Sequence, residues 1–211
     1  MPIDPDRVTT IVEEIAQEEV LPRFRALADE DVQTKKGGEL VTTADHAAEE
    51  ALTRRLKEVL PGSLVVGEEA VAADPEVMGR LELDEPVWLI DPVDGTGNFA
   101  GGKAAFAVMV ALVVGGETKG AWIHDPVGGR TAAAEAGSGA FMGGRRLAVA
   151  KAAPLAEMTG TLHASTFAPK EIAARVQAGR EMVAALPSRR CAGLEYLNLV
   201  TGEMAFTLFT R

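Results

Sequence analysis

A chain of 211 residues, 47% hydrophobic and 25% charged, has the size of one large α/β domain or two small units sharing a core, which excludes a disordered tail. Lys and Arg total 21 against 31 for Asp and Glu, so the net charge is -10 and the pI about 4.9. That balance excludes nucleic acid and anionic membrane as partners, but it admits a small phosphate ester if a bound cation reverses the field locally. Cys191 is the one cysteine, so no intrachain disulfide forms. The opening Met1-Pro2-Ile3-Asp4-Pro5-Asp6 lacks signal-peptide order, and the longest apolar run, Ala104 to Val114, has 11 residues where a membrane span needs about 20. These features predict a soluble, cytoplasmic protein. His46, His124 and His163 are scattered, so any metal is expected to be a hard cation on carboxylates rather than zinc.

From Asp6 to about Asp29, Val8, Ile11, Val12, Ile15, Leu21, Phe24 and Leu27 recur at helical spacing, predicting an amphipathic helix bent at Pro22. Ala48, Leu52, Leu56 and Val59 predict a second helix over Ala44–Leu60, opened by the caps Thr42 and Thr43 and ended by Pro61-Gly62. Leu64-Val65-Val66 and Val87-Trp88-Leu89-Ile90 read as buried strands delivering acids at their ends. Between Phe106 and Leu147, glycine pairs punctuate three or four β-rich segments of a meandering sheet. A second unit is expected from about residue 151, with a strand over Thr159–Ser165, a helix over Pro169–Leu186, a short helix over Gly193–Val200 and a strand over Met204–Thr210. The reading is layered α/β: residues 1–150 form an α+β domain with a helix pair on a mainly antiparallel sheet, and residues 151–211 form a smaller, incomplete α/β subdomain.

The sharpest segment is Asp91-Pro92-Val93-Asp94-Gly95-Thr96, where a buried strand ends in two carboxylates. Carboxylates so placed can share divalent cations, and Gly95 lets the backbone approach an anion. Asp, Pro and Gly are also what an ordinary turn prefers. Glu68 and Glu69 follow a strand end and Asp45 opens a helix, each unremarkable singly. Should Asp45, Glu68, Asp91 and Asp94 converge, unit charges about 4 Å apart repel by roughly 4 kcal/mol per pair at an effective dielectric of 20, so convergence predicts bound metal. The Asp-Gly-Thr triplet does not fit phosphoaspartyl phosphatases, because their nucleophile and acid lie two positions apart and Asp91 and Asp94 lie three apart.

The order Val41-Thr42-x-x-Asp45, Gly67-Glu68-Glu69, then Asp91-Pro92-x-Asp94-Gly95-Thr96-x-Asn98-Phe99 resembles the inositol monophosphatase family of Mg²⁺-dependent, lithium-sensitive phosphomonoesterases. The hairpin Gly137-Ser138-Gly139-Ala140-Phe141 matches as well. The resemblance implies an αβαβα sandwich and two or three Mg²⁺ ions held by Glu68, Asp91, the carbonyl of Val93 and Asp94. It implies that Glu68 and Thr96, the latter hydrogen-bonded to Asp45, activate the attacking water, and that the Gly95 and Thr96 amides bind the phosphate. A homodimer is implied too. Gly97 departs from the family, as does Ala100-Gly101-Gly102. Glu195 stands where a small residue near the substrate's hydroxyls is common, so it either changes which alcohol is accepted or is a surface helix residue. The family's Trp-Asp segment, whose Asp completes the second metal shell, is not found before Arg211, hence the expectation of an incomplete C-terminal portion.

The expected activity is therefore hydrolysis of a small inositol, sugar or polyol phosphate by metal-activated water. A 3′-phosphonucleotide, a sugar bisphosphate or histidinol phosphate are alternative substrates. An inactive relative acting as a binding module is the alternative of another class, and solvated strand-end acids in an unrelated α/β domain are the third.

Overall fold

The computed structural model describes residues 3–35, 37–164 and 168–210. Helix α1 (Pro5–Ile15) starts where Asp4 accepts the Asp6 amide at 3.0 Å and Pro5 occupies the first turn. Val8, Ile11, Val12 and Ile15 form its buried stripe. The expected single helix to Asp29 is not what forms. A π turn over Ala16–Val20 and a 3₁₀ turn over Leu21–Arg23 follow α1, and the chain becomes extended at Phe24. Pro22 has no N–H and its ring collides with the preceding turn, so the α geometry loosens ahead of it.

Strands β1 (Val32–Thr34) and β2 (Leu40–Thr42) then pair antiparallel, a hairpin absent from the sequence reading. Helix α2 (Thr43–Val59) is opened by a capping box: Thr42 accepts the Ala44 amide, and Asp45 accepts the Thr42 amide. Its buried face, Ala44, Ala48, Leu52 and Leu56, packs with α1 over the first sheet.

That sheet holds seven strands: β3 (Leu64–Gly67), β4 (Val87–Asp94), β5 (Ala107–Val114), β6 (Glu117–Asp125), β7 (Arg130–Glu135), β8 (Gly139–Met142) and β9 (Arg145–Arg146), side by side in chain order. Only β3 and β4 run parallel, joined through helix α3 (Glu68–Ala73) and a 3₁₀ segment over Pro75–Glu82. The rest is antiparallel meander, as the glycine pairs predicted; Gly115 and Gly116, at φ 58° and 75°, make the β5–β6 turn that non-glycine residues resist. Trp88 and Trp122, 6.0 Å apart, centre the core beneath the helices, and Phe99 and Phe106 pack edge to face at 4.9 Å.

One irregularity places the chemistry. Asp91 pairs with Met109 and Asp94 with Ala107, so three residues of advance on β4 match two on β5. A regular strand would send side chains three apart to opposite faces; the extra residue at Pro92-Val93 returns Asp94 to the side of Asp91.

The second sheet has three parallel strands, β10 (Thr159–Ala164) between β11 (Ala184–Leu186) and β12 (Phe206–Thr210), with helices α5 (Lys170–Gly179) and α6 (Ala192–Val200). The expected strand end at Ser165 lies outside the described residues. The expected helix over Pro169–Leu186 is shorter: it ends at Gly179, a 3₁₀ turn covers Arg180–Met182, and Ala184–Leu186 pairs with Thr159–Thr161 instead. Tertiary pairing overrides the helix propensity of the alanines there. No helix among the described residues is long and apolar enough to cross a membrane.

Candidate active site

A cavity of about 810 Å³ opens where β4 ends, walled by Glu68, Asp91, Asp94 and the turn from Gly95 to Asn98. Helix α4 (Thr96–Ala100) begins there, with Gly95 at φ 91° before it. A Cβ on Gly95 would stand 2.8 Å from the Ala105 carbonyl. Gly95→Ala is therefore expected to displace the turn, destabilising the fold by about 1–3 kcal/mol and weakening inorganic phosphate binding, which urea denaturation and calorimetric titration would check. The Thr96 and Gly97 amides lead the helix, lack a carbonyl four residues back, and are available to an anion.

Each acid is held differently. Asp94 accepts the Gly193 amide at 2.6 Å and the Cys191 thiol at 3.0 Å, from the N-terminus of α6. Burial pushes its pKa up, and those donors pull it back. The approach is so close that a Cβ on Gly193 would meet Ala107 Cβ at 2.7 Å. Asp45, fully buried on α2, accepts the Thr42 amide at 2.8 Å, the Thr42 hydroxyl at 2.5 Å and the Thr96 hydroxyl at 3.1 Å. Thr96 Oγ1 also lies 2.9 Å from the Val93 carbonyl. Asp91 is the exception: its Oδ1 is buried and has no hydrogen-bond partner. Burial first, then the charges of Glu68 and Asp94, push its pKa well above the ordinary carboxylate range.

Glu68 faces the same cavity but is engaged elsewhere. Lys35 Nζ donates to Glu68 and to Glu69 at 2.7 Å each, and the paired carboxylates drive the lysine's pKa up against the burial that opposes it. Behind them Glu49 accepts the Glu69 amide at 2.7 Å and the Ala70 amide at 2.9 Å, capping α3 from α2. Gly67 leaves room for that carboxylate, since a Cβ would lie 2.2 Å from Glu49 Cδ. With Glu68 turned to Lys35 and Asp94 to α6, no three His, Cys, Asp or Glu side chains among the described residues form a set that could hold a metal as they stand. The donor chemistry nonetheless suits a hard cation: all oxygen, with one Asp91 oxygen unsatisfied.

Of the residues singled out by sequence, Glu68, Asp91, Val93, Asp94, Gly95 and Thr96 line one cavity, and Asp45 lies behind Thr96. Glu195 is a correction. It is fully buried in α6, and its carboxylate takes the hydroxyls of Thr161, Thr207 and Ser188 and the Arg189 amide at 2.5, 2.9, 2.7 and 2.9 Å. With its acceptor capacity spent inside the protein, it neither lines the cavity nor sits on the surface. The sequence reading missed Lys35, Glu49, Cys191, Lys103 and Arg190. For Glu49 a signal existed: it stands four residues after Asp45 on α2, and so shares its face.

The fold and cavity together define a layered α+β protein in which a bulged strand, a glycine turn and a carboxylate floor share one cleft. The Inositol monophosphatase family matches residues 4–211, and the chain belongs to it. A fructose-1,6-bisphosphatase/inositol-1-monophosphatase of Thermotoga maritima is 34% identical over 133 residues, covering 63% of this chain and 48% of that protein. Human inositol monophosphatase 1 is 34% identical over 113 residues, covering 54% of this chain and 40% of that one. The chain thus aligns with about half the length of these curated relatives or less. Among solved structures, a Thermotoga maritima IMPase superposes with TM-score 0.80 at 24% identity, over 94% of this chain and 73% of the other. The extragenic suppressor protein suhB of Bartonella henselae gives 0.79 at 22%, over 94% and 74%. These two share the fold.

Proposed function

We propose that this protein hydrolyses a small phosphate monoester of a polyol or sugar in a Mg²⁺-dependent reaction. The observation that supports it most is Asp91: a buried carboxylate oxygen without a partner, beside two further acids and the Gly95 turn. A protein has little reason to keep such a group unless something cationic satisfies it. Glu68, Asp91, the Val93 carbonyl and Asp94 would hold Mg²⁺, two or three ions in all. When bound, the cation supplies positive charge against the ester dianion and the leaving alkoxide, and lowers the pKa of a nearby water.

The protein's own groups do the positioning. The Thr96 hydroxyl donates a hydrogen bond to Asp45, 3.1 Å oxygen to oxygen, which leaves a Thr96 lone pair to accept a hydrogen bond from the attacking water. Two Thr42 donors fix Asp45 in turn, so the hydroxyl's direction is set before substrate arrives. Glu68 releases Lys35 to orient the same water, and the Gly95 and Thr96 amides receive the phosphate oxygens. The α6 N-terminus fixes Asp94 at the cavity wall through its Oδ2. Family likeness supports a homodimer, a single buried cysteine suits a reducing cytoplasm, and the break near residue 150 is proposed as the unit boundary.

Phosphate release from myo-inositol 1-phosphate, sugar phosphates, a 3′-phosphonucleotide and histidinol phosphate is expected to need Mg²⁺. Asp94→Asn is expected to cut kcat by about 100-fold or more with a smaller change in KM. A folded protein that shows neither Mg²⁺-dependent release nor a Mg²⁺-induced rise in Tm would overturn the proposal.

A further inference from the structure

The edge of an open sheet carries a row of unpaired N–H and C=O groups that templates another strand unless something blunts it. Among the described residues, three of the four edges of the two larger sheets are blunted. Strand β9 is two residues long, and both are exposed arginines. At β3, the guanidinium of Arg80, carried by the 3₁₀ segment, donates to the Val65 carbonyl at 2.6 Å. Strand β11 has three residues and is followed by Pro187.

The fourth edge, β12, has none of these devices. Its five residues, Phe206-Thr207-Leu208-Phe209-Thr210, hold neither charge nor proline, and β10 pairs with them on one side only. Side chains alternate along it, so Leu208 shares a face with Phe206 and Thr210, while Thr207, bonded to Glu195, shares the α6 face with Phe209. On the first face Leu162, the β10 neighbour of Leu208, is buried, but Leu208 itself is 40% exposed. On the second, Phe209 is 37% exposed and lies 5.8 Å from the ring of Tyr196, which is 40% exposed. An open ladder with apolar side chains on both faces is a surface that a solitary copy has no reason to keep.

We propose that β12 pairs antiparallel with β12 of a second copy, joining two three-stranded sheets into one of six strands. The inference gives the homodimer proposed above its surface and does not rest on the phosphatase reading. A second copy fits on three counts. Copies of net charge -10 repel one another, so a contact between them must avoid carboxylates, and Met204 to Thr210 contains none. A foreign strand with Lys or Glu at this edge would lose hydration against Leu208 or Phe209, which a copy of β12 does not. The third count is symmetry. A two-fold axis in an antiparallel ladder makes one residue face itself, and full overlap of the five residues puts Leu208 on the axis. Phe206 then faces Thr210 and Thr207 faces Phe209, so every aromatic meets a β-branched residue, a favourable cross-strand pair.

Sedimentation velocity over a concentration series, at low and high NaCl, tests this. The contact is small, so a monomer–dimer equilibrium with Kd of about 10 μM is expected, tightening as salt screens the net charge. Leu208→Lys should raise Kd by about 30-fold or more. Leu186→Lys, the same change on β11 at 38% exposure, should not move it. Leu208→Cys should give a disulfide-linked dimer on mild oxidation, since the axis brings the two Cβ atoms within about 5.5 Å. Thr210→Cys, which faces the partner's Phe206, should not, and the native Cys191 is buried. Dimers that survive Leu208→Lys, or a Leu208→Cys protein that dimerises without cross-linking, overturn the proposal and leave the homodimer with another interface. A chain that stays monomeric overturns both, and Mg²⁺-dependent phosphate release, measured on the same samples, reports on the phosphatase reading independently.

Discussion

Asp91→Asn is expected to raise the Tm of the protein in EDTA while abolishing its response to Mg²⁺. The carboxylate it replaces is buried, has one oxygen without a hydrogen-bond partner, and is opposed by the charges of Glu68 and Asp94. Asparagine keeps the shape, needs no proton taken up on folding to be neutral in this buried, acid-crowded place, and brings an N–H that the Glu68 carboxylate can accept. Avoiding that uptake is worth about 1 kcal/mol or more, which for a chain of this length moves Tm by about 2–4 °C. Turnover is expected to fall by more than about 100-fold, and the Mg²⁺-induced rise in Tm to vanish. The opposite signs are the point. An acid kept for stability would destabilise the fold when replaced; one kept for cation binding stabilises the metal-free protein. Calorimetric scans of both proteins, with EDTA and with excess Mg²⁺, separate the cases, and a lower Tm for the variant in EDTA would refute the assignment.

What the sequence showed of this site follows from which forces are local. The Asp91 to Thr96 segment was legible because proline, glycine and two acids at a strand end have few other uses, and the helices α1 and α2 because their apolar stripes repeat at 3.6 residues. The bulge that turns Asp91 and Asp94 to one side was not, since it is visible only as a register shift against β5. The β1–β2 hairpin escaped because its strands are three residues each, too short for alternation to register. Lys35, at its turn, therefore went unnoticed although it bridges Glu68 and Glu69. Residues 184–186 read as helix because alanine is at home there, while pairing with Thr159–Thr161 decided otherwise. Glu195 was misjudged as accessible because a lone acid usually is. Its neighbours Leu194 and Leu197 are buried and almost no polar face remains on α6, which marks a helix enclosed on most sides.

Glu195→Ala is accordingly expected to be among the most destabilising single changes in the second unit, by about 3 kcal/mol, or a fall in Tm of about 6–12 °C. The carboxylate joins the hydroxyl of Thr161 on β10 to that of Thr207 on β12, and both to Ser188 and the Arg189 amide ahead of α6. Alanine would take the acceptor from three hydroxyls and one amide, of which the Thr161 hydroxyl is buried and the Ser188 and Thr207 hydroxyls half-buried. Burial pushes the pKa of Glu195 up, but the donors from Thr161, Ser188, Thr207 and Arg189 outweigh it and hold the group below the usual glutamate range. A depressed folded pKa means a contribution fully present above the unfolded value, about 4.3, and lost as the pH falls through the lower folded value. Urea unfolding of the native protein should therefore weaken on acidification below about pH 4.5 more than that of Glu195→Gln, which has no proton to take up. Because the same carboxylate fixes Ser188 and Arg189, and Asn98 grips the next carbonyl, loosening it should also raise KM for phosphate esters with less change in kcat. A Glu195→Ala protein within about 0.5 kcal/mol of the native one would mean that the clamp carries no strain and that the Arg189-Arg190 segment is held by Asn98 alone.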